Sequence, residues 1–466
     1  MAPSLRRPWL RSVRTFTRAL LLILVLAAGV RVAYVGFGKQ GPCPNPIVGD
    51  IPTECAVGDQ LFYNAAANRL AEGDGFVEPF DRSVDPAPAA DHPPLTAMVL
   101  APVSWFADRP PLEWIDDDTH LTHHRWAMVV LGTALVGMIA LLGRRVRGDT
   151  VGIVAGVIAA VTPNLWVNDG LVMSETVTGL TVVGAMLLAF AAWDRPTPGR
   201  VAALGAVCGL AGLARAELVL FVPLLAVPVA WTAAGNRRVL AVVALVASGI
   251  VVAPWVLYNG ARFEEPTTLS TNDGIALAGS NCDPVYSGPA IGLTAITGPD
   301  ACIDTPHPPG DQSEVAQVYR ERAFEYAQDH AGRVPVVLAA RVGRTWSVYR
   351  PLDMVSFNEG EGRERWVTRL GLVAYYPTLL AAIYGAVLLW RAKHRRTLWV
   401  LLVPALCVTV GAMVSYGQTR FRAAAEPSLA ILAAVAIVAV IERVRSPSRE
   451  TPRTPSLAAE HQEVDR

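Results

Sequence analysis

Residues 201–231 read VAALGAVCGLAGLARAELVLFVPLLAVPVAW, an apolar stretch with one charged interruption, Arg215-Ala216-Glu217. A membrane-spanning helix needs about 20 apolar residues, so the interpretation of this stretch decides the fold. As one helix it crosses a bilayer once, whereas as two helices that divide at the interruption it crosses twice. The choice determines which side of the membrane every later loop faces.

The composition around this stretch indicates that the bilayer is the solvent for the chain. Of the 466 residues, 52% are hydrophobic and 17% are charged, and the mean hydropathy is +0.35. A soluble protein of this length needs more charge to cover its surface. We therefore expect an all-α, multi-pass membrane protein. Neither a P-loop nor a Gly-rich strand-to-helix turn occurs, and no nucleic-acid partner is expected.

Apolar segments recur along the whole chain. The first follows five arginines between Arg6 and Arg18 and resembles a signal peptide, but no convincing small-residue cleavage site follows it. We interpret it as an uncleaved first helix. The predicted transmembrane helices, about ten in number, are 17–37, 126–142, 151–166, 171–193, two within 201–231, 239–257, 366–390, 398–415 and 427–441.

Charge and cysteine placement favour two helices within 201–231. With that division, the basic clusters at 237–238 and 391–396 fall on the cytoplasmic side, as the positive-inside rule requires. Both termini are then cytoplasmic, and polar loops at about 38–125 and 258–365 face the outside of a cytoplasmic (inner) membrane. We predict one module over residues 1–445 and a disordered cytoplasmic tail over 446–466.

Four of the six cysteines fall in the predicted outer loops. An oxidising exterior suits disulfides at short range, so we predict the pairs Cys43–Cys55 and Cys282–Cys302. A zinc site from the same thiols is the alternative, but the spacings match no zinc pattern. The remaining two, Cys208 and Cys407, fall in predicted helices as small apolar residues.

The first outer loop contains the most informative local pattern. Residues 58–63 read GDQLFY, and apolar residues recur at helical spacing up to Leu70. This predicts a short amphipathic helix on the membrane surface with Asp59 at its N-terminal end, where an N-cap role is the structural alternative. Residues 91–95 read DHPPL and open an apolar segment to Phe106, which is too short to span and is expected at the interface.

These motifs in this order resemble the GT-C superfamily of membrane glycosyltransferases, which includes protein O-mannosyltransferases and aminoarabinose transferases. The first loop contributes GDxxxY at 58–63, GxGF at 73–76 and HPPL at 92–95. The second loop looks like an actinobacterial branch labelled family 39-like. The later segments that contribute are 163–166, Ser174-Glu175, 213–217, 270–283, 420–422 and Glu426-Pro427.

The resemblance implies a GT-C-like bundle with juxtamembrane helices in both outer loops, and it implies an activity. Such enzymes take a sugar from a polyprenyl-phosphate donor and pass it, with inversion, to a glycan, glycolipid or protein outside the membrane. Asp59 matches the position of the general base on the acceptor hydroxyl, and Asp50 is the second choice. Some members carry a paired Asp-Glu here, where this chain has Asp59-Gln60. Mannose and arabinose are the first sugars to consider.

The departing lipid phosphate requires cationic groups. The resemblance assigns this role first to Arg420 and Arg422, and then to Arg341 and Arg344. No cofactor is expected, and a divalent metal ion, although chemically possible, is not indicated. The further candidates for substrate contacts are Tyr63, His92, Glu175, Asn272 and Asp273.

Each of these candidates has a structural alternative. His92 before two prolines fits a turn, and Asn272-Asp273-Gly274 is a turn signal. Glu175, Arg215 and Glu217 lie at predicted helix ends, where ion pairs between helices explain them. His120, His123 and His124 beside Asp116-Asp117-Asp118 suggest a metal site, but an exposed polar loop accounts for them equally well.

Two other function classes remain open at this stage. A transporter or lipid flippase would span the membrane in the same way, but such proteins commonly contain inverted repeats and helices broken at midplane, and no convincing repeat is present. A non-catalytic assembly protein could keep the fold without the activity, and Asp59 is the only feature against it.

Overall fold

The computed structural model describes residues 8–39, 58–81, 83–107, 120–232, 236–298 and 300–445. Within these ranges the regular elements are helices, together with one isolated antiparallel bridge between Val77 and Pro88. The predicted all-α class is therefore confirmed. Asp50, Cys43, Cys55, the aspartates at 116–118 and the tail at 446–466 lie outside the described residues.

The helices follow one another in chain order. The first ten are α1 (Pro8–Ala33), α2 (Asp59–Glu72), α3 (Leu95–Ala107), α4 (Leu121–Arg147), α5 (Asp149–Val161), α6 (Pro163–Trp166), α7 (Glu175–Asp194), α8 (Pro198–Ala214), α9 (Val227–Trp231) and α10 (Arg237–Gly260). The other eight are α11 (Asn272–Ser280), α12 (Asp283–Tyr286), α13 (Gln312–Asp329), α14 (Val334–Thr345), α15 (Asp353–Gly360), α16 (Arg365–Arg391), α17 (Arg395–Val414) and α18 (Glu426–Arg445).

Seven helical segments in the described ranges are long and apolar enough to cross a membrane by themselves. They are α4, α7, α10, α16, α17, α18 and the segment Thr15–Gly38, which comprises most of α1 and the π turn that follows it. An eighth candidate is α5 together with Pro163–Gly170, which bend by 62° at their junction. Each of the ten predicted spans coincides with helical structure, so the multi-pass architecture is confirmed.

Two predicted boundaries near this bend are wrong. The helix predicted for 151–166 stops at Val161, where Thr162 has an extended conformation and Pro163 begins a new short helix. Proline has no N–H to continue the hydrogen-bond ladder and displaces the preceding residue from helical geometry. The helix predicted to begin at 171 begins at Glu175, because a 3₁₀ turn, Val167–Gly170, comes first.

The backbone breaks within residues 201–231, as the two-helix interpretation requires. α8 ends at Ala214, and Arg215 is extended with φ −151° and ψ 128°. The second half, Ala216–Trp231, winds through a 3₁₀ turn and a π turn into α9. Both halves are shorter than an ordinary span.

Small residues let the helices approach closely. A Cβ on Gly385 of α16 would lie 1.9 Å from the carbonyl oxygen of Leu432 in α18, and one on Gly205 of α8 would lie 2.3 Å from that of Ala244 in α10. Membrane helices associate through such small-residue contacts because lipid supplies no hydrophobic driving force between them. Large apolar side chains on α10 and α16 are exposed, as a lipid-facing surface requires.

The two predicted outer loops form a layer of shorter helices at one end of the bundle. The first loop contributes α2 and α3, and α2 begins at Asp59 as predicted. The second contributes α11–α15, of which α13 begins with a capping box at Asp311. The predicted disulfide Cys282–Cys302 is present in this layer. Cys208 and Cys407 are buried within helices, also as predicted.

Candidate functional site

Asp59 lies at the first position of α2, one residue after the N-cap. Gly58 is the N-cap residue and has φ 57°, a conformation that favours glycine. The N-cap alternative for Asp59 is therefore wrong, because Gly58 occupies the N-cap position. Its Oδ2 instead lies 2.7 Å from a terminal guanidinium nitrogen of Arg420.

His92 and Tyr63 complete the immediate surroundings of Asp59. The Nε2 of His92 lies 3.5 Å from Asp59 Oδ1, and the imidazole stacks on the Tyr63 ring with centroids 5.1 Å apart. Burial raises the pKa of Asp59, but Arg420 and then His92 outweigh it and hold that pKa below its usual range. The Asp59 side chain is 29% exposed, so an ionised carboxylate faces a space that a substrate can reach.

Arg420 is the central cation of this cluster. It belongs to the 3₁₀ turn Thr419–Ala424 between α17 and α18, and its side chain is buried. Besides Asp59, its Nε lies 3.5 Å from Glu361 Oε2 and 3.9 Å from Glu175 Oε1. Three carboxylates from distant parts of the sequence therefore surround one guanidinium group.

Glu175 begins α7 and is almost completely buried. Its Oε1 lies 3.3 Å from Arg215, which also binds Glu217 Oε1 at 2.8 Å. The ion pairs predicted as the structural alternative are thus formed at the break in residues 201–231. The same Glu175 also faces Arg420, which joins this network to Asp59.

A small cavity, lined by both polar and apolar side chains, lies beside Arg420. It contains three arginines, Arg363, Arg420 and Arg422. The other lining residues are Asn164, Val167, Ser347, Pro351, Met354, Asn358, Val367, Thr368, Leu372, Thr419, Ala423 and Glu426. Such a concentration of guanidinium groups is suited to binding a phosphate.

Sequence reasoning missed two residues of this site, Glu361 and Arg363. They lie between α15 and α16, where Arg363 donates to the side-chain oxygen of Asn168 at 2.8 Å. Burial raises the pKa of Glu361 even though Arg420 opposes the shift. The charged run from 359 to 365 just before a predicted span was the available signal, but a polar loop explains such a run equally well.

Arg422 lines the cavity but is already engaged. It donates to Glu426 Oε1 at 2.7 Å and to Ser347 Oγ at 3.0 Å, and its guanidinium group lies 3.6 Å from the centroid of the Tyr375 ring. These contacts fix its orientation. Arg420 and Arg422, which the sequence singled out together, are therefore brought to one cavity by a single 3₁₀ turn.

Arg341 and Arg344 do not line this cavity, and their assignment to the phosphate needs correction. Arg341 donates to the Met413 carbonyl at 2.9 Å, and Arg344 donates to the Ile291 carbonyl at 2.6 Å. Both lie on α14, where they donate to backbone carbonyl groups of α17 and of the folded second loop. They hold that loop against the bundle.

Asn272 and Asp273 are likewise separate from the cavity. They lie in the first turn of α11 and do not form a turn between two elements. Asp273 pairs with Arg320 of α13 at 3.0 Å. The hydrogen bonds of these residues lie within the second loop, where the Asn272 N–H donates to Ser270 Oγ. Their assignment to substrate binding has no support in this geometry.

The histidines near the start of α4 connect three helices. His124 Nδ1 lies 2.7 Å from Asn64 of α2, and its Nε2 lies 2.8 Å from Ser104 of α3. Among the described residues, no three His, Cys, Asp or Glu side chains are placed to share a metal ion. These contacts support the layer that carries Asp59.

Comparison with known proteins gives one family match. The family model described as dolichyl-phosphate-mannose-protein mannosyltransferase matches residues 115–258, less than a third of the chain. This segment runs from the end of the first loop to α10 and includes Glu175 and Arg215. No curated protein matches the chain in sequence.

Solved structures resemble the chain over most of its length. The oligosaccharyltransferase of Archaeoglobus fulgidus in the apo form is 13% identical, with a TM-score of 0.53, and the match covers 91% of this chain and 51% of that one. The same enzyme, AglB, with an inhibitory peptide and a dolichol-phosphate gives a TM-score of 0.52 at 13% identity, covering 91% and 51%. ArnT from Cupriavidus metallidurans bound to undecaprenyl phosphate gives 0.41 at 13% identity, covering 93% and 79%.

The chain therefore spans about half the length of the oligosaccharyltransferase, and it has that protein's transmembrane fold. The GT-C-like bundle predicted from the sequence is confirmed, with helices and loops in the order that the motifs implied. At this identity the likeness concerns the fold.

Proposed function

We propose that this chain, a membrane protein with the GT-C glycosyltransferase fold, transfers a sugar from a polyprenyl-phosphate donor to a hydroxyl group outside the membrane. One observation carries the proposal: the ionised Asp59 lies against Arg420 at the edge of a cavity with three arginines. The family match to mannosyltransferases and the dolichol-phosphate and peptide complex of AglB support it.

In the proposed reaction, the donor phosphate binds in the cavity to Arg363, Arg420 and Arg422. As the bond between the anomeric carbon and the phosphate oxygen breaks, both electrons stay with that oxygen, and the guanidinium groups stabilise the charge that develops. Polyprenyl phosphate is then released. Among these arginines, Arg420 also contacts the base and so positions it relative to the leaving group.

Asp59 acts as the general base on the acceptor. Its carboxylate takes the hydroxyl proton while the acceptor oxygen bonds to the anomeric carbon. In this proposal the acceptor oxygen attacks the face of the sugar opposite the departing phosphate, so the anomeric configuration inverts. His92 orients the carboxylate through its Nε2, and Tyr63 supports the imidazole by stacking.

The site belongs, in this proposal, to the outer face of a cytoplasmic membrane with both termini inside. The disulfide Cys282–Cys302 in the second loop supports this orientation, since such bonds persist in oxidising compartments. The acceptor is a glycan, glycolipid or protein exposed there. Mannose or arabinose on a polyprenyl phosphate are the donors to test first.

The transporter or flippase reading has less support from the site. The charged groups collect at helix ends, at the start of α2, the start of α7 and the turn before α18. Transporter sites are typically built near the middle of the membrane from broken helices. A non-catalytic protein would need neither an ionised base nor the arginine cavity beside it.

The test is sugar transfer by membranes that contain the full chain, supplied with radiolabelled polyprenyl-phosphate mannose or arabinose. Asp59→Asn should lower transfer by roughly 100- to 10,000-fold, because a general base contributes about that factor. Asp74→Asn is the matched control, since Asp74 follows the other end of α2 and pairs with Arg69 at 2.8 Å. It should retain wild-type activity.

The outcomes separate the hypotheses. Equal transfer by the wild type and Asp59→Asn would remove Asp59 as the base. No transfer from either donor in the presence of native acceptors would contradict the proposal for these sugars. Loss in both Asp59→Asn and Asp74→Asn would indicate that α2 is merely disturbed.

A further inference from the structure

Several hydrogen-bond acceptors around Arg420 are buried without a donor. Within the described residues, the acceptors Gln60 Oε1, Glu175 Oε2 and Glu361 Oε2 have no hydrogen-bond partner, and neither do the Nε donors of Arg363 and Arg420. An unpaired buried acceptor costs about 1–3 kcal/mol, so native structures rarely collect several at one place. Their convergence beside the proposed catalytic base indicates a ligand or ordered solvent that supplies hydrogen-bond donors.

The phosphate of the donor cannot satisfy these atoms. A phosphate offers acceptors and negative charge, which Glu175 and Glu361 would repel. The missing partner must instead supply hydrogen-bond donors without a negative charge. The hydroxyl groups of a sugar have this property.

Glu361 lies near both the proposed base and the proposed phosphate site. Its carboxylate lies 3.5 Å from Arg420, and its backbone carbonyl accepts from Gln60 Nε2 at 3.0 Å, directly beside Asp59. Two residues later, Arg363 lines the phosphate cavity. Glu361 therefore lies between the proposed base and the proposed phosphate site.

The segment that carries Glu361 is held firmly from behind. Lys39 Nζ lies 2.8 Å from the Gly362 carbonyl and 2.6 Å from Glu364 Oε1. The Tyr34 hydroxyl donates to the other Glu364 oxygen at 2.6 Å. A binding side chain is effective when its supporting contacts fix its geometry, and residues 361–364 meet that condition.

Glu361 and Glu175 differ in accessibility. The side chain of Glu361 is 21% exposed, whereas that of Glu175 is 1% exposed and is paired with Arg215. A ligand can therefore reach the carboxylate of Glu361 more readily. Glu175 therefore acts as a charge partner of Arg215 and Arg420.

We propose that Glu361 is a specificity-determining residue that accepts a hydrogen bond from a hydroxyl group of the donor sugar, with Gln60 beside it. This inference rests on the proposed function. It assigns the sugar to Glu361 and the lipid phosphate to the arginines, so the two parts of the donor are recognised by different residues.

A purely structural role for Glu361 makes a different prediction. If this carboxylate only neutralises Arg420, its removal leaves more positive charge for any phosphate, with or without a sugar. Both ligands would then bind more tightly. A sugar contact, in contrast, affects only the ligand that carries the sugar.

The experiment measures equilibrium binding of two probes to the purified full chain in lipid nanodiscs: polyprenyl phosphate and the polyprenyl-phosphate sugar that the wild type uses. Glu361→Ala should weaken binding of the sugar-bearing probe by about ten- to a hundredfold, the range for a hydrogen bond to a charged group. Binding of polyprenyl phosphate should stay the same or become tighter. Glu361→Gln, which keeps the shape, should show a smaller loss and serves if the alanine variant does not fold.

Glu359→Ala is the matched control. Glu359 lies two residues away, is partly exposed and pairs with Arg365, so its removal should change the binding of neither probe. Tighter binding of both probes by the Glu361 variants, or equal weakening of both, would overturn the assignment. If the wild type bound neither probe, the proposed function itself would fail, and this outcome is distinguishable from the other two.

Discussion

At the scale of single residues, the contact between Asp59 and Arg420 connects the two halves of the proposed reaction. The same guanidinium group that holds the carboxylate at 2.7 Å also lines the phosphate cavity. A phosphate that binds Arg420 must share it with Asp59 and Glu361. Because a lone carboxylate is a better base than one paired with a guanidinium group, donor binding should raise the basicity of Asp59.

This competition predicts an unusual effect of Asp59→Asn. The variant removes one carboxylate from Arg420, so it should bind polyprenyl phosphate more tightly than the wild type, by roughly 3- to 30-fold, although its sugar transfer is strongly reduced. Equilibrium binding to the full chain in nanodiscs measures the change. Asp74→Asn provides the reference, and unchanged or weaker binding by Asp59→Asn would show that Asp59 and phosphate do not compete.

At the scale of elements, a buried ion pair fixes the shape of the bent helix pair. Arg31 of α1 lies 2.6 Å from Asp169 in the turn Val167–Gly170, and Thr176 of α7 donates to the same carboxylate at 2.7 Å. A Cβ on Gly132 would collide with Asp169, so α4 also packs directly against it. The preceding residue, Asn168, accepts a hydrogen bond from Arg363 of the cavity, which connects this pair to the site.

Removing one partner of this pair should be costly. Asp169→Ala leaves Arg31 buried without its counter-charge and should lower the free energy of unfolding by about 3–5 kcal/mol. The measurement is reversible unfolding of the detergent-solubilised chain. Asp194→Ala removes an exposed partner of Arg145, also at 2.6 Å, and should cost about 1 kcal/mol or less. Equal losses in the two variants would contradict a special role for the buried pair.

At the scale of the whole molecule, the two ends of the bundle differ in charge chemistry. One end carries the site and the layer of shorter helices that the two outer loops form. The other end carries basic helix termini that pair with acids from neighbouring helices, as in Arg145–Asp194 and Arg147–Glu442. This distribution fits an arginine-rich cytoplasmic face.

Single cysteines test this orientation. A cysteine at Phe324, which is exposed on α13, should react with an impermeant maleimide added to intact cells. A cysteine at Lys393, exposed between α16 and α17, should react only after the membrane is opened. The wild-type chain supplies the background, since Cys208 and Cys407 are buried. The reverse labelling pattern would invert the proposed topology.

The sequence by itself determined the features that depend on local pattern. Apolar runs specified the helices, the charges at Arg215 and Glu217 marked the break between α8 and the segment after it, and Cys282 and Cys302 were paired correctly. Helix α2 was found from its periodicity and its start. These features need only residues that are close in the chain, so the pattern of apolar, charged and capping residues contains the information.

Only the tertiary structure decided which charged groups share a site. Arg341 and Arg344 were the next candidates for the phosphate after Arg420, but they donate to backbone carbonyl groups of α17 and of the folded second loop. Glu361 and Arg363 looked like part of a polar loop, and they face Arg420 because Lys39 anchors their segment. Such contacts join residues that are between 53 and 323 positions apart, and no local pattern records which of many equivalent charges the packing of helices will bring together.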